Sequence, residues 1–167
     1  MKVLFIGGTG LISEAVSRLV VKKGIDLYLF NRGNRNEHVP EEATVIKGDI
    51  RDINDVSLKL KDYKFDVVVD WIAYNPENIK LDIELFKEKT DQYIFISSAS
   101  VYQKPPTNYL ITESTPLINP YWEYSRNKIA CEEILIKQYR KNGFPITIVR
   151  PSHTYGKTGI PSSINSH

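Results

Sequence analysis

Residues 1–13, MKVLFIGGTGLIS, decide the fold class of this chain. A short apolar run ends at Ile6, glycines follow at Gly7, Gly8 and Gly10, and a segment with helical periodicity begins at once. Glycines between a buried strand and a helix let the backbone approach a phosphate closely, and the helix N-terminus offers free N–H groups to an anion. The stretch therefore predicts a strand, a phosphate-binding turn and a helix, with a plain tight turn as the alternative.

One position departs from the usual spacing of such turns. Ser13 stands where a G-x-x-G-x-x-G pattern has its third glycine. Serine is small, so the helix can still pack close to the sheet, and its hydroxyl can bond back to the helix backbone. We therefore expect the substitution to be tolerated.

Apolar runs and helical patterns alternate along the whole chain. The predicted strands are residues 3–6, 27–30, 43–46, 65–70, 93–97 and 145–149, and the predicted helices are residues 11–23, 52–60, a helix that starts at Asn75-Pro76, and about 121–141. Strands that alternate with helices favour a parallel sheet with right-handed crossovers. We predict an α/β doubly wound Rossmann fold of about six strands, with helices on both faces, in residues 1–156, followed by a polar tail in residues 157–167.

Two of the helices carry more specific predictions. Asn75 is suited to cap the third helix, and Pro76 suits its first position. The face of the first helix that we expect to pack on the sheet carries Ile12, Val16, Leu19 and Val20.

Length and composition narrow the class of protein. A chain of 167 residues suits one domain, and a net charge of +2 does not point to nucleic acid or a membrane as partner. The single cysteine, Cys131, excludes an intrachain disulfide framework, and the three histidines lack metal-ligand spacing, so we predict no metal site. Neither a signal peptide nor an apolar run of ~18 residues is present, which predicts a cytoplasmic protein.

The residues after the second predicted strand bear on the choice of dinucleotide. An acidic side chain about 20 residues after the glycines would bind a ribose 2′-hydroxyl. This chain has Asn31 there, followed by Arg32 and Arg35. No carboxylate repels a 2′-phosphate at this place, and two guanidinium groups can pair with one. The pattern favours NADP over NAD, with solvated loop arginines as the alternative.

Asp49 follows the third predicted strand. A carboxylate there can accept a hydrogen bond from an adenine amino group. It can equally cap the short helix that follows, and spacing alone does not separate the two.

A tyrosine and a lysine on the last predicted helix form a candidate catalytic pair. The i, i+4 spacing places Tyr124 and Lys128 on one helical face. A nearby ammonium favours the phenolate and so lowers the pKa of the tyrosine, which makes it useful for proton transfer. Serines 97, 98 and 100 close the fifth strand at its carboxyl end, where a hydroxyl can stabilise a developing oxyanion.

Together these motifs resemble the extended short-chain dehydrogenase/reductase family and, more narrowly, its NAD-dependent epimerase/dehydratase group, which acts on nucleotide sugars. The resemblance runs in order from Met1 to about Gly156. It is carried by Gly7-Gly8-Thr9-Gly10-Leu11-Ile12, Gly48-Asp49-Ile50, Ser97-Ser98-Ala99-Ser100-Val101-Tyr102, Tyr124-x-x-x-Lys128 and Arg150-Pro151-Ser152-His153-Thr154-Tyr155-Gly156.

The resemblance implies roles for particular residues. Ser98, Tyr124 and Lys128 would be the catalytic residues, with reversible hydride transfer to a nucleotide sugar as the reaction. The implied cofactor-binding residues are Gly7, Thr9, Gly10, Leu11, Ile12, Asp49, Ile50, Ile72, Ala73, Tyr124, Lys128 and Pro151, to which the residue argument above adds Asn31, Arg32 and Arg35.

Members of this group continue into a smaller domain that closes over the sugar nucleotide. Here only a short polar segment follows Gly156, so we expect a chain truncated after the cofactor-binding domain, with the substrate domain missing. We therefore expect the enzymatic activity of the chain to be doubtful. The surface that this domain covers would be apolar, which favours a homo-oligomer.

Two other functions stay open. The chain could be a non-catalytic NAD(P)-binding module or redox sensor. It also resembles the chloroplast stem-loop-binding proteins of this superfamily, which raises RNA binding. A net charge near zero disfavours RNA as a partner.

Overall fold

The computed structural model describes residues 1–155, which form six strands and four α-helices. The strands are β1 (Lys2–Ile6), β2 (Asp26–Asn31), β3 (Thr44–Lys47), β4 (Phe65–Asp70), β5 (Thr90–Ile96) and β6 (Ile146–Val149). The helices are α1 (Leu11–Lys22), α2 (Ile53–Lys59), α3 (Pro76–Phe86) and α4 (Glu123–Asn142), with short 3₁₀ turns at Asn36–His38 and Ala99–Val101. The tail predicted for residues 157–167, together with Gly156, lies outside the described residues.

The strands pair in parallel in the order β3-β2-β1-β4-β5-β6. The chain builds outward from β1 in one direction through β3, then crosses over and builds outward in the other. This is the order of a doubly wound Rossmann sheet, so the predicted fold class is confirmed. The order reverses between β1 and β4, and ligands of such sheets bind in the crevice beyond the carboxyl ends of the strands at that point.

Apolar side chains cover both faces of the sheet. On one face the buried cluster joins α2, α3 and α4 to the strands, through residues such as Val56, Ile79 and Leu135. On the other face β1 and β2 pack against α1, through partners such as Val16 and Val20. Residues of β5 alternate between the two clusters, as expected for a strand covered on both sides.

The predicted cap of α3 is confirmed. The Asn78 N–H donates to Asn75 Oδ1 at 3.0 Å, and Pro76 occupies the first helical turn. Most boundaries lie within one residue of the prediction. The larger differences are that β5 begins three residues earlier, at Thr90, and that α4 begins two residues later, at Glu123.

The predicted inner face of α1 was wrong in part. Ser13 and Ser17 are the buried residues of this helix, whereas Leu19 is 51% exposed. The Ser17 hydroxyl donates to the Gly8 carbonyl at 3.1 Å, so small side chains let α1 approach the glycine turn. The helix is therefore rotated from the orientation that apolar periodicity indicates.

No helix among residues 1–155 combines the length and the apolar character needed to cross a bilayer.

Candidate functional site

A cleft of about 790 Å³ opens at the carboxyl ends of the strands, where the order of the sheet reverses. Its wall is formed by the glycine turn, the segments after β2, β3, β4 and β5, the start of α4 and residues after β6. The predicted site residues that line it are Gly7, Thr9, Gly10, Ile12, Asn31, Arg32, Arg35, Asp49, Ile50, Ile72, Ser98, Tyr124, Lys128 and Pro151.

Two predicted residues do not line the cleft. Leu11 is 38% exposed at the start of α1. Ala73 is buried, but its carbonyl accepts a hydrogen bond from Lys128, so its backbone supports the site from behind.

The glycine turn has a backbone that only glycine adopts easily. Gly7 and Gly8 have φ values of +98° and +100°. A Cβ on Gly8 would lie 2.7 Å from Leu29 Cδ2, and one on Gly7 would lie 3.0 Å from Ile72 Cγ2. The turn therefore packs against β2 on one side and the segment after β4 on the other, with its backbone facing the cleft.

Ser13 bonds back to the turn, as predicted. The Gly10 N–H donates to Ser13 Oγ at 2.8 Å, and the Ser13 hydroxyl lies 3.3 Å from the Gly10 carbonyl oxygen. One of the free N–H groups at the start of α1 is thus satisfied by the serine. The departure from the glycine pattern is accommodated within the turn.

At the end of β2, Asn31 and two arginines face the cleft. Asn31 Oδ1 accepts from the Gly33 N–H at 2.8 Å, while its buried Nδ2 has no partner among the described residues. The exposed Arg32 and Arg35 guanidinium groups make no ion pair or hydrogen bond within the described part of the chain. One end of the cleft is therefore bordered by a buried amide nitrogen without a partner and by two exposed guanidinium groups that pair with none of the described residues.

Asp49 does not cap the helix that follows it. The N-cap of α2 is Asp52, whose Oδ1 accepts from the Asp55 N–H at 3.1 Å. Asp49 Oδ1 accepts from the Arg51 N–H at 3.1 Å and lines the cleft. Of the two alternatives that the sequence left open, helix capping is excluded for this residue.

Lys128 lines the cleft although only 1% of it is exposed. Its Nζ donates to the Ala73 carbonyl at 2.6 Å and to the Ile96 carbonyl at 2.7 Å. The ammonium also lies over the rings of Phe95, Tyr74 and Tyr124, at 4.6, 5.1 and 5.6 Å from their centroids. Burial lowers the pKa of Lys128 to about 8, so the group stays mostly charged at neutral pH.

The expected effect of Lys128 on Tyr124 was wrong for the chain without ligand. The pKa of Tyr124 is raised, because burial and the neighbouring Tyr74 disfavour the phenolate and outweigh the opposing effect of the Ser98 hydroxyl. Lys128 is held by carbonyl oxygens below the ring, which explains why its charge does not stabilise the phenolate oxygen. The helical spacing placed the two residues on one face but could not show what else surrounds them.

The segment after β4 is held by a buried carboxylate that the sequence analysis missed. Asp70 Oδ1 accepts from the Ile72 N–H at 2.6 Å and from the Ala73 N–H at 2.9 Å. The predicted cofactor contact Ile72 and the carbonyl partner of Lys128 are thereby fixed together. The signal was present in the sequence, as an aspartate that ends a strand directly after three consecutive valines.

Four aromatic side chains near the end of β4 and the start of α4 differ in whether they line the cleft. Trp71, Tyr74 and Trp122 line the cleft, whereas Tyr121 is 75% exposed and does not. Cys131 is buried in the core as a free thiol.

Similarity to known proteins agrees with this architecture. The model of the NAD dependent epimerase/dehydratase family matches residues 3–167. The chain is 30% identical over 186 residues to UDP-glucose 4-epimerase from Lactobacillus helveticus, covering 100% of this chain and 56% of that protein. It is 30% identical over 168 residues to the chloroplast stem-loop binding protein of 41 kDa b from Arabidopsis thaliana, covering 93% and 42%. The chain thus spans about half the length of these relatives.

A solved structure shares the fold. The dTDP-glucose 4,6-dehydratase of Bacillus anthracis str. Ames, crystallised in complex with NAD, superimposes with a TM-score of 0.81 at 22% identity. The match covers 94% of this chain and 56% of that one.

Proposed function

Because this chain belongs to the NAD-dependent epimerase/dehydratase family, we propose that its cleft binds a nicotinamide dinucleotide and supports reversible hydride transfer with a nucleotide sugar. The observation that carries the proposal is the composition of one continuous cleft. Its wall includes a glycine turn at the topological switch point and the side chains of Ser98, Tyr124 and Lys128. A phosphate-binding element and a proton-transfer group therefore face the same volume.

The residues present fit such a cofactor. Gly8 lines the cleft, while a Cβ there would meet Leu29 on the side of the sheet, so the turn presents backbone and no side chain to a pyrophosphate. The buried Asn31 Nδ2 lacks a partner among residues 1–155 and is suited to an acceptor oxygen on the ligand. Asp49 and Ile50 border the cleft beyond the third strand, where an adenine would lie.

Each catalytic side chain then has a role. The bound cofactor would supply the hydride acceptor and donor. Tyr124 would take the proton from a sugar hydroxyl and later return it. Ser98 would donate a hydrogen bond to the same oxygen, and the Lys128 ammonium, charged below pH about 8, would favour the phenolate once ligand displaces one of its carbonyl partners.

Replacement of Tyr124 by phenylalanine tests the proposed reaction. Tyr124→Phe removes the proton-transfer oxygen, so interconversion of UDP-glucose and UDP-galactose should fall about 10²- to 10⁴-fold while NADH affinity stays within about threefold. Tyr121→Phe is the matched control, since Tyr121 is an exposed tyrosine three residues away and outside the cleft. Equal turnover in Tyr124→Phe and the wild type would remove Tyr124 from the chemistry.

A preference for NADP is the finer part of the proposal. The guanidinium groups of Arg32 and Arg35, which have no partner among residues 1–155, would pair with a 2′-phosphate, and Asn31 brings no carboxylate to repel it. Arg32→Glu should therefore weaken NADPH binding at least tenfold and leave NADH binding within about threefold. Arg140→Glu, at an exposed position of α4, controls for the change in net charge. Tighter binding of NADH than of NADPH by the wild type would contradict the preference.

A second candidate is a dinucleotide-binding module without catalysis, or one that binds a nucleic acid stem-loop. The similarity to the Arabidopsis stem-loop binding protein supports it. Hydride transfer needs a positioned substrate in a site that excludes water, and this chain spans about half of its epimerase relatives. Cofactor binding without turnover on any nucleotide sugar would favour the module. A gel shift with structured RNA that weakens with salt would favour nucleic acid.

A further inference from the structure

Glu132 is a fully buried carboxylate that joins three segments of the site. It lies on α4, one turn beyond Lys128 and two turns beyond Tyr124. The Ser97 hydroxyl, at the end of β5, donates to Glu132 Oε1. Arg150 lies directly after β6. Its Nε donates to both carboxylate oxygens, at 3.1 and 3.2 Å, and its Nη2 donates to Oε2 at 2.6 Å.

Each partner of Glu132 is the direct neighbour of a predicted site residue. Ser97 precedes Ser98, and Arg150 precedes Pro151. The two strand ends are also joined to each other, because the Ser97 N–H donates to the Val149 carbonyl at 2.7 Å and the Ala99 N–H to the Pro151 carbonyl at 2.9 Å. The Arg150 Nη1 also donates to the Tyr102 hydroxyl at 3.0 Å, which ties Arg150 to the residue after the 3₁₀ turn Ala99–Val101.

A carboxylate is the group that this position requires. It accepts from a hydroxyl and from two nitrogens of one guanidinium edge at once, which a carboxamide with one acceptor oxygen cannot match. Removal of the charge would also leave the largely buried Arg150 guanidinium without its counter-ion, and such breaks are costly.

We infer that Glu132 is a positioning residue, whose carboxylate holds Ser97 and Arg150 and so sets Ser98 and Pro151 against Tyr124 and Lys128 on the same helix. The inference rests on the proposed function for the roles of those four residues. It assigns no contact between Glu132 and a ligand, because Glu132 lies behind the wall of the cleft.

Two variants separate positioning from simple stability. Glu132→Gln leaves Arg150 unpaired and should lower Tm. The double variant Glu132→Leu with Arg150→Met replaces the ion pair by apolar side chains of similar size, so Tm should recover part of that loss. The Ser97 and Tyr102 hydroxyls lose a partner in this variant, which keeps the recovery incomplete. Glu14→Gln is the control, because it breaks an ion pair with Arg18 on the surface of α1.

Two measurements on the full chain decide the role. Amide hydrogen exchange by NMR follows Ser97 and Ala99, with the Phe65 N–H, which bonds the Lys89 carbonyl at the other end of the sheet, as internal reference. Fluorescence titration gives the Kd for NADPH. In the double variant we expect exchange of Ser97 and Ala99 to be at least tenfold faster, exchange of Phe65 unchanged, and the Kd for NADPH at least tenfold higher.

Two results would overturn the inference, and a third concerns the proposed function. Wild-type exchange at Ser97 and Ala99 in a folded double variant overturns the inference. Faster exchange with an unchanged Kd also overturns it, because the role of Glu132 would then be structural only. If the wild type binds neither NADPH nor NADH, the proposed function fails, and the exchange data alone decide whether Glu132 joins the strand ends to α4.

Discussion

At the scale of single residues, a buried acid pair behind the site went unpredicted. The Tyr93 hydroxyl donates to Asp82 at 2.7 Å and lies 3.3 Å from Asp70, and all three side chains are almost fully buried. Burial, the charge of Asp70 and the contact with Asp70 raise the pKa of Asp82 well above its usual range. The fold therefore favours the protonated form of Asp82 more strongly than the unfolded chain does.

Asp82→Asn tests this protonation state. The folded chain binds the Asp82 proton more tightly than the unfolded chain, so the wild type loses stability as pH rises above the unfolded pKa of about 4. Asparagine mimics the neutral acid and has no proton to lose. We expect the wild type to lose more than about 1 kcal/mol relative to Asp82→Asn between pH 5 and pH 8 in urea unfolding. Parallel stability curves for the two proteins would show that Asp82 is ionised in the fold.

Sequence patterns found the residues of the site better than they found its supports. Glycine spacing and the Tyr124–Lys128 spacing depend on local geometry, which sequence reveals. The contacts of Asp82 and Glu132 join elements far apart in the chain, so no local pattern could predict them. Asp82 follows the buried Ile79 by three residues, but an acid in an apolar stripe gives no sign of its partner.

At the scale of elements, the strand–turn–helix unit β1–α1 shows how close packing overrides periodicity. The alternation of apolar and polar residues correctly predicted a helix from Leu11. It predicted the buried face only in part: Val16 and Val20 pack on the sheet as expected, but the turn also draws the start of α1 against the sheet. Only small side chains fit there, so Ser13 and Ser17 take the buried positions while Leu19 points outward.

A pair of glycine variants tests this close approach. Gly8→Ala introduces a Cβ at φ +100° and 2.7 Å from Leu29 Cδ2, so backbone strain and overpacking should together cost about 2 to 4 kcal/mol. Gly24→Ala is the matched variant at φ +71°. Apart from its chain neighbours, a Cβ there would meet no atom of the described residues within 4 Å, so this variant isolates the backbone strain, at about 1 kcal/mol. Urea unfolding measures both. Equal losses in the two variants would mean that contact with β2 does not constrain the turn.

At the scale of the whole molecule, the fold followed from the alternation of strands and helices, and the cleft followed from the fold. The sequence predicted six strands and four helices at nearly their observed places, because each crossover has its own apolar pattern. The strand order then brings to one cleft residues 7–10, 12, 31–35, 49–50, 72, 98, 124, 128 and 151. Two features required the assembled structure: the burial of Lys128, and the raised pKa of Tyr124, which comes from burial of Tyr124 itself and from Tyr74.

The central claim is that this cleft binds a nicotinamide dinucleotide. Fluorescence titration of the folded full chain with NADPH and with NADH at pH 7 tests it most directly. We expect saturable binding of one nucleotide per chain, tighter for NADPH than for NADH. A folded chain that binds neither nucleotide at millimolar concentration would contradict the claim.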